Sequence, residues 1–238
     1  MGDHTMRAYD AELERLAQTI TRMGGLAESQ LDQAIGALVG RDSDLAARVV
    51  AGDRQIDDLE HEVQNLTVRL LALRQPMAID LRAIVAALRI SSDLERIGDY
   101  AANVAKRALV LNRIPVVEPV GAIPRMGRVV AEIIREVLDA YVESDADKAL
   151  AAWRRDEEVD EMHTSLFREL ITYMMEDPRN ITACTHLMFI AKNIERIGDH
   201  ATNVAETIHF LVRGTPIEGD RPKADGIAPP PEAEEEIP

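Results

Sequence analysis

Between Met23 and Leu38 apolar residues recur at helical spacing: Met23, Leu26, Ala27, Leu31, Ala34, Ile35 and Leu38. Each residue turns an α-helix by about 100°, so these side chains share one face, and the pattern predicts a first helix over 7–40. Asp42 or Ser43 suits the N-cap of a second, which follows Ile56, Leu59, Val63, Leu66 and Leu70 to residue 74. Gln75-Pro76 breaks it, because proline lacks an amide donor and restricts the residue before it. A third helix is expected over 79–111, with Leu94, Ile97, Ala101, Val104 and Ala108 as its apolar stripe. The stretch NRIPVVEPVGAIP, with three prolines and a glycine, reads as a linker. Then the pattern restarts, predicting helices over 125–142, 145–175 and, after Pro178, 181–212.

The restart is a repeat of sequence as well as of pattern. ERIGDYAANVA begins at Glu95 and ERIGDHATNVA at Glu195, with nine of eleven positions identical. DRQIDDLEHEV from Asp53 lines up with DEEVDEMHTSL from Asp156, and Pro76 with Pro178. Chance similarity between Ala- and Glu-rich helices would not keep motif, proline and motif in order. The expected fold is all-α: two tandem pseudo-symmetric three-helix bundles built from six long helices. The expected division is 7–112 for the first bundle, 113–124 for the linker, 125–212 for the second bundle and 213–238 for a disordered acidic tail. That tail, rich in Pro, Gly and acid, offers too little apolar surface to order itself.

Composition narrows the function. Aromatic residues are 3% of the chain, which suits helices better than sheets. With 27 basic against 42 acidic residues the formal charge is −15, which argues against nucleic acid and leaves metal cations or basic protein surfaces as partners. One cysteine, Cys184, precludes an internal disulfide, and its apolar surroundings suggest a buried structural thiol. Neither a signal peptide nor a membrane-spanning run is legible, so a cytoplasmic protein, peripheral to a membrane at most, is expected.

The acids give the chain its chemistry. Glu95, Asp99 and Asn103 lie well away from the apolar stripe of their helix, and Glu195, Asp199 and Asn203 repeat them. Asp53 with Asp57, and Asp156 with Asp160, do the same on the preceding helices. The carboxylates are therefore expected to face away from the core of their own bundle. Like charges at i and i+4 cost a helix roughly 0.2–0.5 kcal/mol per pair. On neighbouring antiparallel helices four carboxylates could converge, an arrangement that calls for a cation such as Mg²⁺, Mn²⁺, Ca²⁺ or iron. The bland alternative is a solvated acidic face neutralised by Arg54, Arg96, Arg155 and Arg196. Gly98 and Gly198, costing a helix about 1 kcal/mol each relative to alanine, suggest close helix approach beside the acids.

These features together resemble the PhoU family of phosphate-specific transport accessory proteins: the two three-helix repeats, LALRQPMAIDLRAI, LERIGDYAANVAKR and IERIGDHATNVAE. The resemblance spans about 7–212. It implies E(D)xxxD motifs at Asp53 and Asp57, Glu95 and Asp99, Asp156 and Asp160, and Glu195 and Asp199, able to hold metal clusters. The cofactors implied are divalent or trivalent ions (Fe, Mn, Zn, Mg or Ca), with or without inorganic phosphate. The repeats diverge where Glu60 faces its counterpart His163, so the two sites can differ in metal or affinity. Also implied is a non-enzymatic negative regulator of phosphate uptake and of the phosphate-starvation response. Its partners would be the ATPase subunit of the phosphate ABC transporter, a sensor histidine kinase and a second copy of the chain.

Two rivals stand beside that reading. One is a ferritin-like di-metal enzyme, for which Glu206 with His209 and Asp160 with His163 supply E-x-x-H-like pairs. Neither histidine recurs in the first half, and acids on an outer face suit oxygen chemistry poorly. The other is a purely structural helical protein whose acids serve solubility. No P-loop, dinucleotide fingerprint or H-E-x-x-H motif is present.

Overall fold

The structure, a computed structural model, describes residues 2–74 and 78–219. Pro76, the expected first break, and most of the expected disordered tail lie outside the described residues. The described chain is helical with no strand. Its helices are α1 (Gly2–Val39), α2 (Ser43–Gly52), α3 (Arg54–Arg74), α4 (Ala78–Leu111), α5 (Ile123–Glu143), α6 (Ala146–Arg154), α7 (Asp156–Glu176) and α8 (Ile181–Arg213). Two of the six expected rods are thus interrupted, at Asp53 and at Arg155. At both points the backbone tightens: the Ile56 amide donates to the Asp53 carbonyl (2.9 Å) and the Glu158 amide to the Arg155 carbonyl (3.1 Å). These i to i+3 bonds replace a full α-turn. The hydrophobic period runs through both interruptions, which is why periodicity alone joins the segments. Their effect is to put Asp57 and Asp156 in the first turns of α3 and α7, where the helix dipole favours negative charge.

Local signals account for the other ends. Asp42 caps α2 by accepting from the Leu45 amide at 2.8 Å. Asp145 caps α6, accepting from the amides of Asp147 and Lys148, which hold its carboxyl below the usual carboxylate range. Ser144 leaves α5 in a left-handed conformation at φ 54°. Asp177 caps the short 3-10 turn Pro178–Asn180 that leads into α8.

The first bundle is α1, α2–α3 and α4; the second is α5, α6–α7 and α8. Helices α4 and α8 pack along one another and join the bundles, and one continuous apolar core runs through both. Buried alanines line both helices, among them Ala101, Ala105, Ala201 and Ala205. Polar contacts pin the seam. His200 Nδ1 lies 2.8 Å from Asp93 Oδ1, the Asn203 side-chain amide donates to the same carboxylate, and the Arg196 guanidinium sits over the Tyr100 ring. Of the expected tail, Ile217 packs against the core. Among the described residues no helix is long and apolar enough to cross a membrane.

Candidate metal site at the duplicated acidic motifs

Helix α3 packs on α4, and α7 on α8. In the first bundle Asp53, Asp57, Glu95 and Asp99 are all half-buried. Burial, and then the neighbouring charges of Asp99 and Asp57, push the Asp53 carboxyl up to about 6, with Lys106 opposing. Glu95 is raised as well, first by burial, then by Asp99, with Glu60 and Asp57 adding to it against Arg96. Five acids from two helices therefore share one field. Only part of it is neutralised: Arg96 reaches Asp99 at 3.3 Å and Glu95 at 3.5 Å.

Gly98 sits at the centre of this patch. A β-carbon there would lie 2.8 Å from Ile56 Cδ1, 3.2 Å from Gln30 Oε1 and 3.4 Å from Asp53 Oδ1. The bare backbone of α4 is thus what lets α3 and α1 approach. Gln30 is a residue the sequence reading passed over. Its one signal is a polar amide beside the apolar stripe of α1, between Ala27 and Leu31.

The second bundle repeats the arrangement with different surroundings. Asp160, Glu195 and Asp199 are half-buried, but Asp156 is 2% exposed. The expectation that every motif carboxylate faces away from the core is corrected there: Asp156 packs inward against α8, where the polar Thr202 side chain borders it. The hydroxyl of Thr202, fully buried on α8, bonds the Gly198 carbonyl at 2.8 Å and stands 3.2 Å from Asp156 Oδ1, two acceptors for one proton. Ala102 at the matching place in α4 has no hydroxyl to offer Asp53. Lys192 pairs with Glu195 Oε1 at 2.7 Å, while Glu195 Oε2 is buried without a hydrogen-bond partner. His163 lies close enough to feel Glu195, yet burial dominates and depresses its pKa, favouring the neutral imidazole that ligates metals. Gly198 is less crowded than Gly98: its nearest neighbour would be Val159 at 3.4 Å.

Of the four expected neutralising arginines, Arg96 does pair with motif acids, while two are engaged elsewhere. Arg155 holds Glu132, Glu136 and Glu158, and Arg196 covers Tyr100. Besides Arg96, the cations that act on the patches are Lys106, two helical turns beyond Asp99 on α4, and Lys192, one turn before Glu195 on α8. The pairs of the enzyme reading do not assemble into one centre. Glu206 accepts from the Trp153 indole at 2.8 Å, and the His209 ring lies 3.2 Å from the Thr215 carbonyl. Cys184 is fully buried and its thiol pushed up, as an inert structural thiol would be. His186 turns toward Arg107.

The donor chemistry fits an oxygen-ligated cation: mutually repelling carboxylates, one raised to about 6, and orphaned buried oxygens on Gln30 and Glu195. As placed, the acids border one another without converging. Among the described residues no three His, Cys, Asp or Glu side chains form a ready chelate.

Comparison with known proteins covers both bundles. The PhoU domain family matches residues 20–108 and 123–208. The phosphate-specific transport system accessory protein PhoU homologue of Caulobacter vibrioides is 54% identical over 229 residues, 96% of this chain and 100% of that protein. The Rhizobium meliloti homologue is 47% identical, covering 93% of this chain and 94% of its own. The crystal structure of PhoU from Pseudomonas aeruginosa superposes with a TM-score of 0.85 at 42% identity, over 87% of this chain and 100% of that one. The phosphate transport system regulatory protein PhoU from Streptococcus pneumoniae gives 0.82 at 29% identity, over 88% and 99%. With its two matched segments, its six-rod architecture and its paired acidic helices, this chain belongs to the PhoU family.

Proposed function

We propose that this protein is a non-enzymatic, cytoplasmic regulator of phosphate uptake that restrains the phosphate-starvation response. It acts as an adaptor between the ATPase subunit of a phosphate ABC transporter and a sensor histidine kinase, as a homodimer. The observation that carries the reading is the match of both three-helix segments to proteins named as accessory to phosphate-specific transport. Large apolar side chains left uncovered on α3 (Val68, Leu73) and α7 (Phe167, Met175) support a protein-docking role.

The two acidic patches are the ligand-responsive part of this proposal. Asp53, Asp57, Glu95 and Asp99 would hold one cation or cluster, and Asp156, Asp160, Glu195 and Asp199 the other. A bound cation (iron, manganese, zinc, magnesium or calcium) would supply local positive charge able to take inorganic phosphate or a partner's carboxylate. What the chain itself does is hold the carboxylates half out of water beside each other, so that the empty patch is electrostatically unfavourable. Coupling to signalling follows if the partners bind loaded and unloaded patches with different affinity.

The test is co-purification with the transporter ATPase and the kinase at high and low phosphate. A complex whose amount changes with phosphate is expected; no association at either level would sink the adaptor role. Replacing Asp99 and Asp199 together by alanine is expected to derepress starvation genes. Unaltered repression by that variant would separate cation binding from regulation.

A further inference from the structure

We propose that the side-chain carbonyl of Gln30, supplied by α1, is a further ligand to a hard divalent cation held by the first acidic patch. This rests on the cation reading above and extends it to a residue outside the acidic motifs.

Gln30 is 8% exposed, and its Oε1 is buried with no hydrogen-bond partner. A buried carbonyl left unpaired costs about 1–3 kcal/mol, and the neighbouring core positions of α1, Ala27, Leu31 and Ala34, are apolar and fully buried. The amide is therefore an exception on its face, and its oxygen has a direction. Gln30 Oε1 and Asp53 Oδ1 lie 3.2 Å and 3.4 Å from the point where a β-carbon on Gly98 would stand. A neutral oxygen from α1 and the Asp53 carboxylate at the α2–α3 turn thus flank one stretch of bare α4 backbone, which the Ile56 methyl also approaches.

Nothing in the fold requires this oxygen. Arg22-Met23-Gly24 matches Arg125-Met126-Gly127, which sets Gln30 opposite Ile133, itself fully buried. Beside Gly198 the nearest neighbours of an added β-carbon are the apolar side chains of Val159 and Val130. The amide is also the right chemistry for a patch that already gathers Asp53, Asp57, Glu60, Glu95 and Asp99. It adds an oxygen donor without adding to the repulsion, as neutral carbonyls do in Ca²⁺ and Mg²⁺ sites. The second patch has an imidazole, His163, near Glu195 instead, and nitrogen donors suit zinc and iron better than hard cations. The inequivalence of the two sites follows from these two residues.

Mn²⁺ is the probe, titrated into the full chain and followed by calorimetry and by loss of its free-ion electron paramagnetic signal. The comparison is made in an Asp199→Asn background, where the first patch is the one left intact. Gln30→Leu is expected to weaken Mn²⁺ binding about tenfold there, and Gln30→Glu, which keeps an oxygen donor, to restore it. Neither change should matter in an Asp99→Asn background. Gln30→Leu removes an unpaired buried oxygen, so its thermal midpoint without metal should not fall, which separates ligand loss from misfolding. Unchanged affinity of Gln30→Leu in the Asp199→Asn background would overturn the inference while leaving the carboxylate patches standing. If Asp99→Asn also leaves binding intact, or the unmodified chain takes up no Mn²⁺, the patch reading fails together with it.

Discussion

Asp53 and Asp156 stand at matching positions and live in different worlds. Asp53 is half-buried beside Asp99 and Asp57 with its carboxyl pushed up to about 6; Asp156 is buried with the Thr202 hydroxyl beside it. For Asp53 the folded-state value lies above the unfolded one, so between about pH 4 and pH 6 the folded chain binds the extra proton. Stability falls as pH rises through that window, and the penalty is complete above it. Asp53→Asn is therefore expected to raise the thermal midpoint in metal-free buffer at about pH 7.5, with the gain vanishing below about pH 4. A lower midpoint for that variant at neutral pH would mean the carboxylate is stabilised rather than strained. The raised pKa was not readable from spacing, because it arises from helices α3 and α4 meeting and from burial that periodicity does not quantify.

Element packing gives the two glycines opposite roles although the motif around them is nearly identical. At Gly98 a methyl group would press on Ile56, fully buried, and on the oxygens of Gln30 and Asp53. At Gly198 the same methyl would make ordinary contact with Val159. Alanine improves a helix interior by roughly 0.5–1 kcal/mol over glycine, and overpacking a core costs roughly 1–3 kcal/mol. Gly198→Ala should therefore stabilise the chain by roughly 0.5–1 kcal/mol, while Gly98→Ala should destabilise it by about 1 kcal/mol. Urea unfolding of the two variants against the parent checks both signs. The sequence pointed to close approach at each glycine; the structure shows it tight at only one, because Ile56 and Gln30 reach over the first while valines, shorter and apolar, line the second. The interruptions at Asp53 and Arg155 belong to this scale too. They left the 3.6-residue period intact and so could not be seen in it.

Across the whole molecule, α4 and α8 make the two bundles mechanically one. The apolar core is continuous through them, and Asp93 of one helix takes contacts from His200 and Asn203 of the other. Trp153, the only tryptophan, sits on α6 and reports on the second bundle, whereas far-ultraviolet dichroism reports on all helices. The two signals should unfold in a single coincident transition. Asp93→Ala should shift that transition to lower denaturant by about 1–3 kcal/mol, since it strips partners from half-buried polar groups. A tryptophan transition separated from the dichroism would show that the bundles unfold independently.

The order of helices, their ends at Asp42, Asp145 and Pro178, the duplication and the identity of the eight acids were all fixed by local rules. Hydrophobic period, capping chemistry and repetition act over a few residues or compare like with like. What required the folded chain was every property that depends on a third element arriving. Gln30 from α1 reaches the patch made by α3 and α4, the Thr202 hydroxyl borders a carboxylate buried against α8, and Lys192 takes one oxygen of Glu195 while leaving the other bare. Two stretches with nearly the same letters acquire unlike electrostatics because solvent exclusion and Coulomb energy depend on distance in space, and spacing along one helix carries no record of what packs across from it.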